Sequence, residues 1–142
     1  MDTPHPGIAS TKTVRPRLLL ADDHPCFLEY TRKLLGTDYE IIGAVNNGLT
    51  ALKMVLELRP ELIVLDIEMA GIDGIRVAQA IRDAGLKSRI LFLTAHDEDD
   101  YITAAREIGS GYVLKCRMGV DLRKALEADS GFFLSEGRRR PV

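Results

Sequence analysis

The chain has 142 residues, of which 46% are hydrophobic and 28% are charged. This length suits one domain with short tails, and the apolar content is too high for a disordered chain. The net charge of −2, from 19 basic and 21 acidic residues, excludes the strongly basic composition with which DNA- and RNA-binding domains contact phosphates.

Two features bear on the cellular compartment. Cys26 and Cys116 lie far apart, with neither Cys-x-x-Cys nor Cys/His metal spacing, which indicates free thiols in a reducing environment. Residues 1–17 contain three prolines and no apolar run, unlike a signal peptide. No segment approaches the roughly 20 apolar residues of a membrane span. We therefore expect a cytoplasmic protein without membrane contact.

Short apolar runs alternate with amphipathic segments five times along the chain. The predicted strands are residues 18–21, 39–45, 62–65, 90–93 and 112–114. This alternation is typical of a parallel sheet with helices on both faces. We expect the apolar residues 132–134 not to begin a further strand or helix. We therefore interpret residues 1–16 as a flexible N-terminal tail and 130–142 as a linker or C-terminal tail.

Apolar spacing also predicts which helix residues face the sheet. These are Phe27, Tyr30 and Leu34 in the first helix, Leu49, Leu52, Val55 and Leu56 in the second, Ile75, Ala78 and Ile81 in the third, Tyr101, Ala104, Ala105 and Ile108 in the fourth, and Leu122, Ala125 and Leu126 in the fifth.

Polar residues stand where the apolar runs stop, which matters because ligands bind beyond the carboxyl ends of parallel strands. The second run ends without such a residue, which fits a strand at the sheet edge. The first run ends at Asp22 and Asp23, the third at Asp66, the fourth at Thr94 and the fifth at Lys115.

Three carboxylates at one rim repel one another unless their pKa values rise or a hard cation binds. Mg²⁺ fits best, with a phosphate oxygen completing its coordination. Asp66 could attack phosphorus to form an acyl phosphate, with Lys115 and Thr94 contacting the phosphoryl oxygens. Singly, these residues also suit helix caps, strand ends or solvated charges, so the hypothesis depends on their joint placement.

Five motifs together carry a resemblance to a known family. The sequence resembles the receiver domain of two-component response regulators over about residues 17–128, and we place the domain at 17–129. The motifs are LADDH at 20–24, LDIEM at 65–69, DG at 73–74, LTA at 93–95 and GYVLK at 111–115.

The resemblance implies a flavodoxin-like, doubly wound α/β fold with five parallel strands in the order 2-1-3-4-5 and five helices. It implies that Asp66 accepts a phosphoryl group from a sensor histidine kinase. It also implies Mg²⁺ held by Asp23, Asp66 and the backbone carbonyl of Glu68, with Asp22 acting mainly through water. Beyond self-catalysed phosphotransfer and dephosphorylation, no enzymatic activity is expected.

Thr94 and Tyr112 match the switch pair of the family. The resemblance implies that the Thr94 hydroxyl moves toward the phosphoryl group and that the Tyr112 ring turns inward. The face formed by the fourth helix, fifth strand and fifth helix then changes shape and binds a partner. A homodimer with a second copy of the chain would use the same face.

Two positions depart from the family pattern. Cys116 follows Lys115 where the family usually has a proline in a cis peptide bond, and Ala70 replaces a second usual proline. A cis bond before a non-proline residue costs about 3 kcal/mol, which predicts a trans bond and an altered loop. Glu68 and His96 flank the phosphorylation site in this family and influence the lifetime of the acyl phosphate.

Residues 131–135 look like the segment before the linker and helix-turn-helix of NarL/FixJ-type regulators. This favours transcriptional output through a DNA-binding domain absent from this chain. One alternative is a single-domain receiver that acts in phosphorelay or by binding a protein. A second is a Mg²⁺-dependent aspartyl phosphatase of the haloacid dehalogenase type, disfavoured because Glu68 stands where that family has its second Asp and because Asp66 follows the third strand rather than the first.

A transition-metal or redox site is a further alternative. His24, His96, Cys26 and Cys116 lie near the predicted rim. No two of them have a recognised ligand spacing, so the sequence disfavours this interpretation.

Overall fold

A parallel sheet covered by helices on both faces forms the fold, as the alternating sequence pattern predicts. The computed structural model describes residues 14–128 and 131–135. The strands are β1 (Arg17–Ala21), β2 (Glu40–Val45), β3 (Leu62–Leu65), β4 (Arg89–Thr94), β5 (Gly111–Leu114) and β6 (Phe133–Leu134). The helices are α1 (Pro25–Leu35), α2 (Gly48–Leu58), α3 (Gly74–Asp83), α4 (Asp99–Ile108) and α5 (Met118–Glu127), with a 3₁₀ turn at Lys115–Arg117.

The strand order is β2-β1-β3-β4-β5-β6 and every pairing is parallel. The predicted core order 2-1-3-4-5, with β2 at an edge, is therefore confirmed. The chain passes from β1 to β2 on one side and then returns to β3 on the other side of β1. The order in which strands are added therefore reverses between β1 and β3, where Ala21 lies opposite Leu65. The residues that follow, Asp22 and Asp66, emerge side by side at this switch point, the usual ligand position in such sheets.

The sheet contains one strand more than the five expected. Residues 133 and 134 pair with β5, so the expectation that nothing structured follows residue 131 is wrong. Ser135 completes the join: its backbone N–H donates to the Tyr112 carbonyl at 2.9 Å, and its Oγ accepts from the Leu114 N–H at 3.0 Å. A two-residue strand has no periodicity of its own, because it exists only through pairing with distant residues.

Alternate residues along the strands enter two separate apolar layers, as the period of a strand requires. In β1, Leu18 and Leu20 pack with α1 and α5, where Leu35 and Leu122 are fully buried. Leu19 and Ala21 point the other way, into the layer formed with α2, α3 and α4. The central strands are buried on both faces, which explains their unbroken apolar runs.

The predicted helix faces are correct for the later helices and partly wrong for the first two. Val55, Ala78, Ile81, Ala105, Leu122, Ala125 and Leu126 are buried as expected.

Three predicted core residues, Tyr30, Leu49 and Leu56, are instead exposed. In α1 the buried positions are Thr31 and Leu35, one residue away from the predicted stripe. In α2 apolar residues occur on most sides, so spacing alone does not define the inward face.

The Lys115–Cys116 peptide bond is trans, because the described residues contain no cis bond. This confirms the prediction made from the missing proline. The 3₁₀ turn follows β5 directly and leads into α5. Within the described ranges, no helix has both the length and the apolar character needed to cross a bilayer.

Candidate functional site

Four strand ends bring the predicted polar residues together. Asp22, Asp66, Thr94 and Lys115 lie at the carboxyl ends of β1, β3, β4 and β5, and all four are buried. Lys115 Nζ lies 3.0 Å from Asp66 Oδ2 and 2.7 Å from Asp22 Oδ2. Burying a charge is costly unless it is paired, so the ammonium holds two carboxylates that would otherwise repel each other.

Local backbone geometry keeps Asp66 in place. Its Oδ1 accepts a hydrogen bond from the Ile67 N–H at 2.7 Å. A Cβ atom at Gly74 would lie 2.0 Å from the Asp66 carbonyl oxygen, so only glycine allows α3 to begin this close to β3. Asp73 caps α3 by accepting from the Arg76 N–H at 2.9 Å. The Asp66 side chain is therefore oriented by its own loop as well as by Lys115.

The pKa of Asp66 lies above its ordinary value. Burial is the largest cause and the negative charge of Asp22 adds to it, whereas Lys115 and Thr94 act in the opposite direction. Asp22, Asp23 and Asp66 together place three carboxylates beside the single ammonium of Lys115. The site retains an excess of negative charge that favours a cation.

The structure also tests whether this group suits a metal ion. Asp22, Asp23, His24 and Asp66 each offer one ligand atom, all within 4.8 Å of one another. Asp22 Oδ2 and Asp23 Oδ1 are buried without a hydrogen-bond partner, because the contact of Asp22 Oδ2 with Lys115 is close but not directed as a hydrogen bond. Buried carboxylate oxygens that lack a hydrogen bond are costly, and a divalent cation would coordinate them.

Solvent access differs within this acidic group. The Asp23 side chain is 32% exposed, while that of Asp66 is 2% exposed. Mg²⁺ retains several waters when it binds proteins, and the open side at Asp23 leaves room for them. The donor set therefore fits a hard divalent cation.

Thr94 and Tyr112 lie on the neighbouring strands β4 and β5. The Thr94 Oγ1 accepts a hydrogen bond from the His96 N–H at 3.3 Å. The Tyr112 ring is fully buried, and its hydroxyl donates to the His96 carbonyl at 2.7 Å. Burial raises the pKa of Tyr112 above its ordinary value, so the phenol remains a donor. Both predicted switch residues are thus joined to one short loop after β4.

Glu68 and His96 meet across the opening of the site. Glu68 Oε1 lies 3.1 Å from His96 Nε2, and Glu98 Oε1 lies 3.3 Å from His96 Nδ1. The hydrogen bond with Glu68 is the main reason that the pKa of His96 is raised. The side chain of Glu68 therefore faces His96, and its backbone carbonyl as a metal ligand stays a prediction.

Phe27 was not recognised in the sequence as part of the site. Assigned to the apolar stripe of the first helix, it places its ring centroid 4.2 Å from Lys115 Nζ, a cation–π contact. His24, which the sequence placed only near the rim, joins the acidic group. Cys26 and Cys116 are exposed free thiols outside that group.

The fold and its polar rim define a flavodoxin-like α/β domain with a group of carboxylates at the switch point whose geometry suits a cation. The profile of the family described as the response regulator receiver domain matches residues 18–127. The chain belongs to this family, as its sequence motifs indicated.

Curated relatives extend the comparison. The chain is 34% identical over 129 residues to the nitrate/nitrite response regulator protein NarL of Escherichia coli K12, covering 88% of this chain and 60% of that protein. It is 33% identical over 113 residues to the probable transcriptional regulatory protein NarL of Mycobacterium tuberculosis H37Rv, covering 78% and 52%. The chain therefore spans between half and two thirds of the length of these relatives.

Solved structures show the same fold. A DNA-binding response regulator of the LuxR family from Staphylococcus aureus aligns with a TM-score of 0.74 and 30% identity, covering 78% of this chain and 95% of that one. The signal receiver domain of the putative regulator NarL from M. tuberculosis aligns with a TM-score of 0.71 and 30% identity, covering 80% and 98%.

Proposed function

We propose that this receiver domain is a phosphorylation-controlled signalling switch in which Asp66 accepts a phosphoryl group from a sensor histidine kinase. One observation carries the proposal. The buried Asp66 carboxylate lies 3.0 Å from Lys115 Nζ, beside two carboxylate oxygens that have no hydrogen-bond partner. This is a nucleophile with a fixed counter-charge and an adjacent cation site.

The chemical step balances without a further reactant. A carboxylate oxygen of Asp66 attacks the phosphorus of a phosphohistidine, the P–N bond breaks, and the imidazole leaves with its electron pair and takes up a proton from solvent. Mg²⁺, held by Asp23, Asp66 and the Glu68 carbonyl with Asp22 acting mainly through water, would neutralise charge on the phosphoryl oxygens. Lys115 contributes a second positive charge, and no activity beyond this transfer and self-catalysed dephosphorylation is proposed.

The phosphoryl group then acts on the loop after β4. The Thr94 hydroxyl moves toward a phosphoryl oxygen, and its hydrogen bond from the His96 N–H is exchanged for that contact. The Tyr112 ring is already buried in this structure, and its position is coupled to the loop because its hydroxyl donates to the carbonyl of the same His96. To make the active state dominant, the phosphoryl group must favour it by a few kcal/mol.

The output of the switch is proposed to be transcriptional. The two NarL proteins described above, a response regulator and a probable transcriptional regulatory protein, are longer than this chain. Contact with DNA would belong to an additional DNA-binding domain. The α4-β5-α5 face would serve a homodimer, and phosphotransfer from the kinase would take place in the cytoplasm. A receiver that relays phosphate or binds a protein directly is the second candidate, supported by the complete receiver site in this chain.

Incubation with acetyl phosphate and Mg²⁺ tests the proposal by intact-mass measurement. We expect the mass gain of one phosphoryl group in the wild-type chain and none in Asp66→Asn. The matched control is Asp73→Asn, which keeps a good helix cap and should gain the same mass. A gain that persists in Asp66→Asn would contradict the assignment. Sustained release of phosphate from a small phosphate ester would instead support the phosphatase alternative.

A further inference from the structure

His24 points a ring nitrogen into the middle of the acidic group. Its Nδ1 lies 3.3 Å from Asp22 Oδ1, 3.2 Å from Asp23 Oδ1 and 3.9 Å from Asp66 Oδ2. In an octahedral site with bonds near 2.1 Å, neighbouring ligand atoms lie roughly 3 Å apart and opposite ones roughly 4 Å apart. The nitrogen thus stands at ligand spacing from one oxygen of each carboxylate.

The His24 ring is held against the carboxylates and is not used as a helix cap, because its Nδ1 forms a hydrogen bond with Asp22 Oδ1 at 3.3 Å. His24 precedes α1 as its N-cap residue, but its side chain makes no capping hydrogen bond. Its backbone N–H donates to Asp22 Oδ1 at 2.9 Å, which fixes the residue next to the carboxylates. The ring packs edge-on against Phe27, with centroids 6.1 Å apart and an interplanar angle of 88°. These contacts aim the nitrogen before any ligand arrives.

A second observation points to a ligand at the same place. Asp22 is 5% exposed, yet its Oδ2 has no hydrogen-bond partner, and neither has the buried Oδ1 of Asp23. The group carries three carboxylates against the single ammonium of Lys115. A divalent cation would complete both the coordination and the charge balance of this site.

We propose that His24 Nδ1 is a ligand of that cation and shifts the preference of the site from Mg²⁺ toward nitrogen-accepting divalent metals such as Mn²⁺. The inference rests on the proposed metal centre of the receiver and concerns its selectivity. Mg²⁺ prefers oxygen ligands, whereas imidazole suits transition metals. An acidic site with one imidazole therefore gains more affinity for Mn²⁺ than for Mg²⁺.

Metal binding to the whole chain tests this directly. Mn²⁺ affinity is read from the loss of the free-ion signal in electron paramagnetic resonance, and Mg²⁺ affinity from competition with Mn²⁺. His24→Phe keeps an aromatic ring beside Phe27 and removes the nitrogen. We expect Mn²⁺ binding to weaken at least about tenfold and Mg²⁺ binding to change less than about threefold.

Pulsed paramagnetic resonance supplies a signature that does not require the variant to fold. Bound Mn²⁺ should show hyperfine coupling to a histidine nitrogen in the wild-type chain, altered by nitrogen-15 labelling of histidine. In His24→Phe this coupling should be absent. Asp23→Asn, which removes an oxygen ligand, should weaken both metals together.

Three results would overturn the inference: no nitrogen coupling in wild type, equal weakening of both metals in His24→Phe, or tighter Mn²⁺ binding in that variant. Tighter binding would mean that the His24 ring hinders metal binding and does not ligate the ion. Failure of the wild-type chain to bind either metal would overturn the metal centre itself. If the wild-type chain binds both metals and His24→Phe leaves their relative affinities unchanged, only the role of His24 is overturned.

Discussion

Replacing Lys115 with Met isolates the contribution of the buried ammonium. The side chain is 4% exposed and lies between the carboxylates of Asp22 and Asp66, at 2.7 and 3.0 Å. Methionine keeps most of the volume but removes the charge, and with it the cation–π contact with Phe27. The two carboxylates are then left buried together without a counter-charge.

The expected cost follows from this geometry. Removing one partner of a buried ion pair destabilises a protein by about 3–5 kcal/mol, and the total stability of an ordinary domain is about 5–15 kcal/mol. Lys115→Met should therefore fold, with a clearly lower urea midpoint. In an Asp66→Asn background the same substitution should lower the free energy of unfolding less, by at least about 1 kcal/mol, because one of the two buried carboxylates is already absent.

Acidification should reduce the difference in free energy of unfolding between Lys115→Met and wild type. The pKa of Asp66 is raised in the folded state, so its folded form binds more protons than the unfolded chain. Stability from this group therefore falls as pH rises from its ordinary pKa of 3.8 to the raised value. Without Lys115 the pKa of Asp66 rises further. The loss of stability caused by Lys115→Met is therefore larger at neutral pH than in acid.

Urea unfolding followed by circular dichroism in EDTA measures these differences without a competing cation. The matched control is Lys33→Met, whose ammonium is 74% exposed and lies 3.9 Å from Glu29. Exposed pairs contribute less than about 1 kcal/mol. If Lys115→Met cost no more than this control, or cost the same with and without Asp66, the reasoning about buried charge would be refuted.

Two further predictions concern contacts around the site. Ser135→Ala should lower the free energy of unfolding by about 1–3 kcal/mol, because the buried Leu114 N–H loses its acceptor. A loss in urea unfolding below about 0.5 kcal/mol would contradict this.

Protonated His96, whose pKa Glu68 raises, should stabilise the fold below its ordinary pKa of 6.5, and this contribution should disappear as pH rises through the raised value. Glu68→Gln should lower the His96 midpoint in an NMR titration and change stability by less than about 1 kcal/mol. An unchanged midpoint would argue against the contact.

The orientation of the helices marks one limit of sequence reasoning. In α2, Leu49 and Leu56 satisfied the predicted spacing, but the structure buries Ala51 and Val55 and exposes both leucines. A helix with apolar residues on several sides has no unique inward face until the sheet supplies the packing surface. In α5, where charged residues separate the apolar stripe, the predicted face was correct.

Sequence order alone determined which chemical groups the rim carries. Each apolar run has a definite end, and parallel pairing directs those ends to one edge, so Asp22, Asp66, Thr94 and Lys115 were predictable as neighbours. Their family motifs were local as well. Such patterns can be read from the sequence because each strand and the loop after it are formed by consecutive residues.

Only the tertiary structure decided which groups touch. The strand order β1-β3-β4-β5 brings Lys115 within 2.7 and 3.0 Å of two carboxylates, and contacts with Asp22 and Phe27 hold the His24 ring beside the acidic group. The pairing of β6 with β5 likewise joins residues about twenty positions apart. These contacts depend on angles and distances between separate elements, which no spacing within one segment encodes.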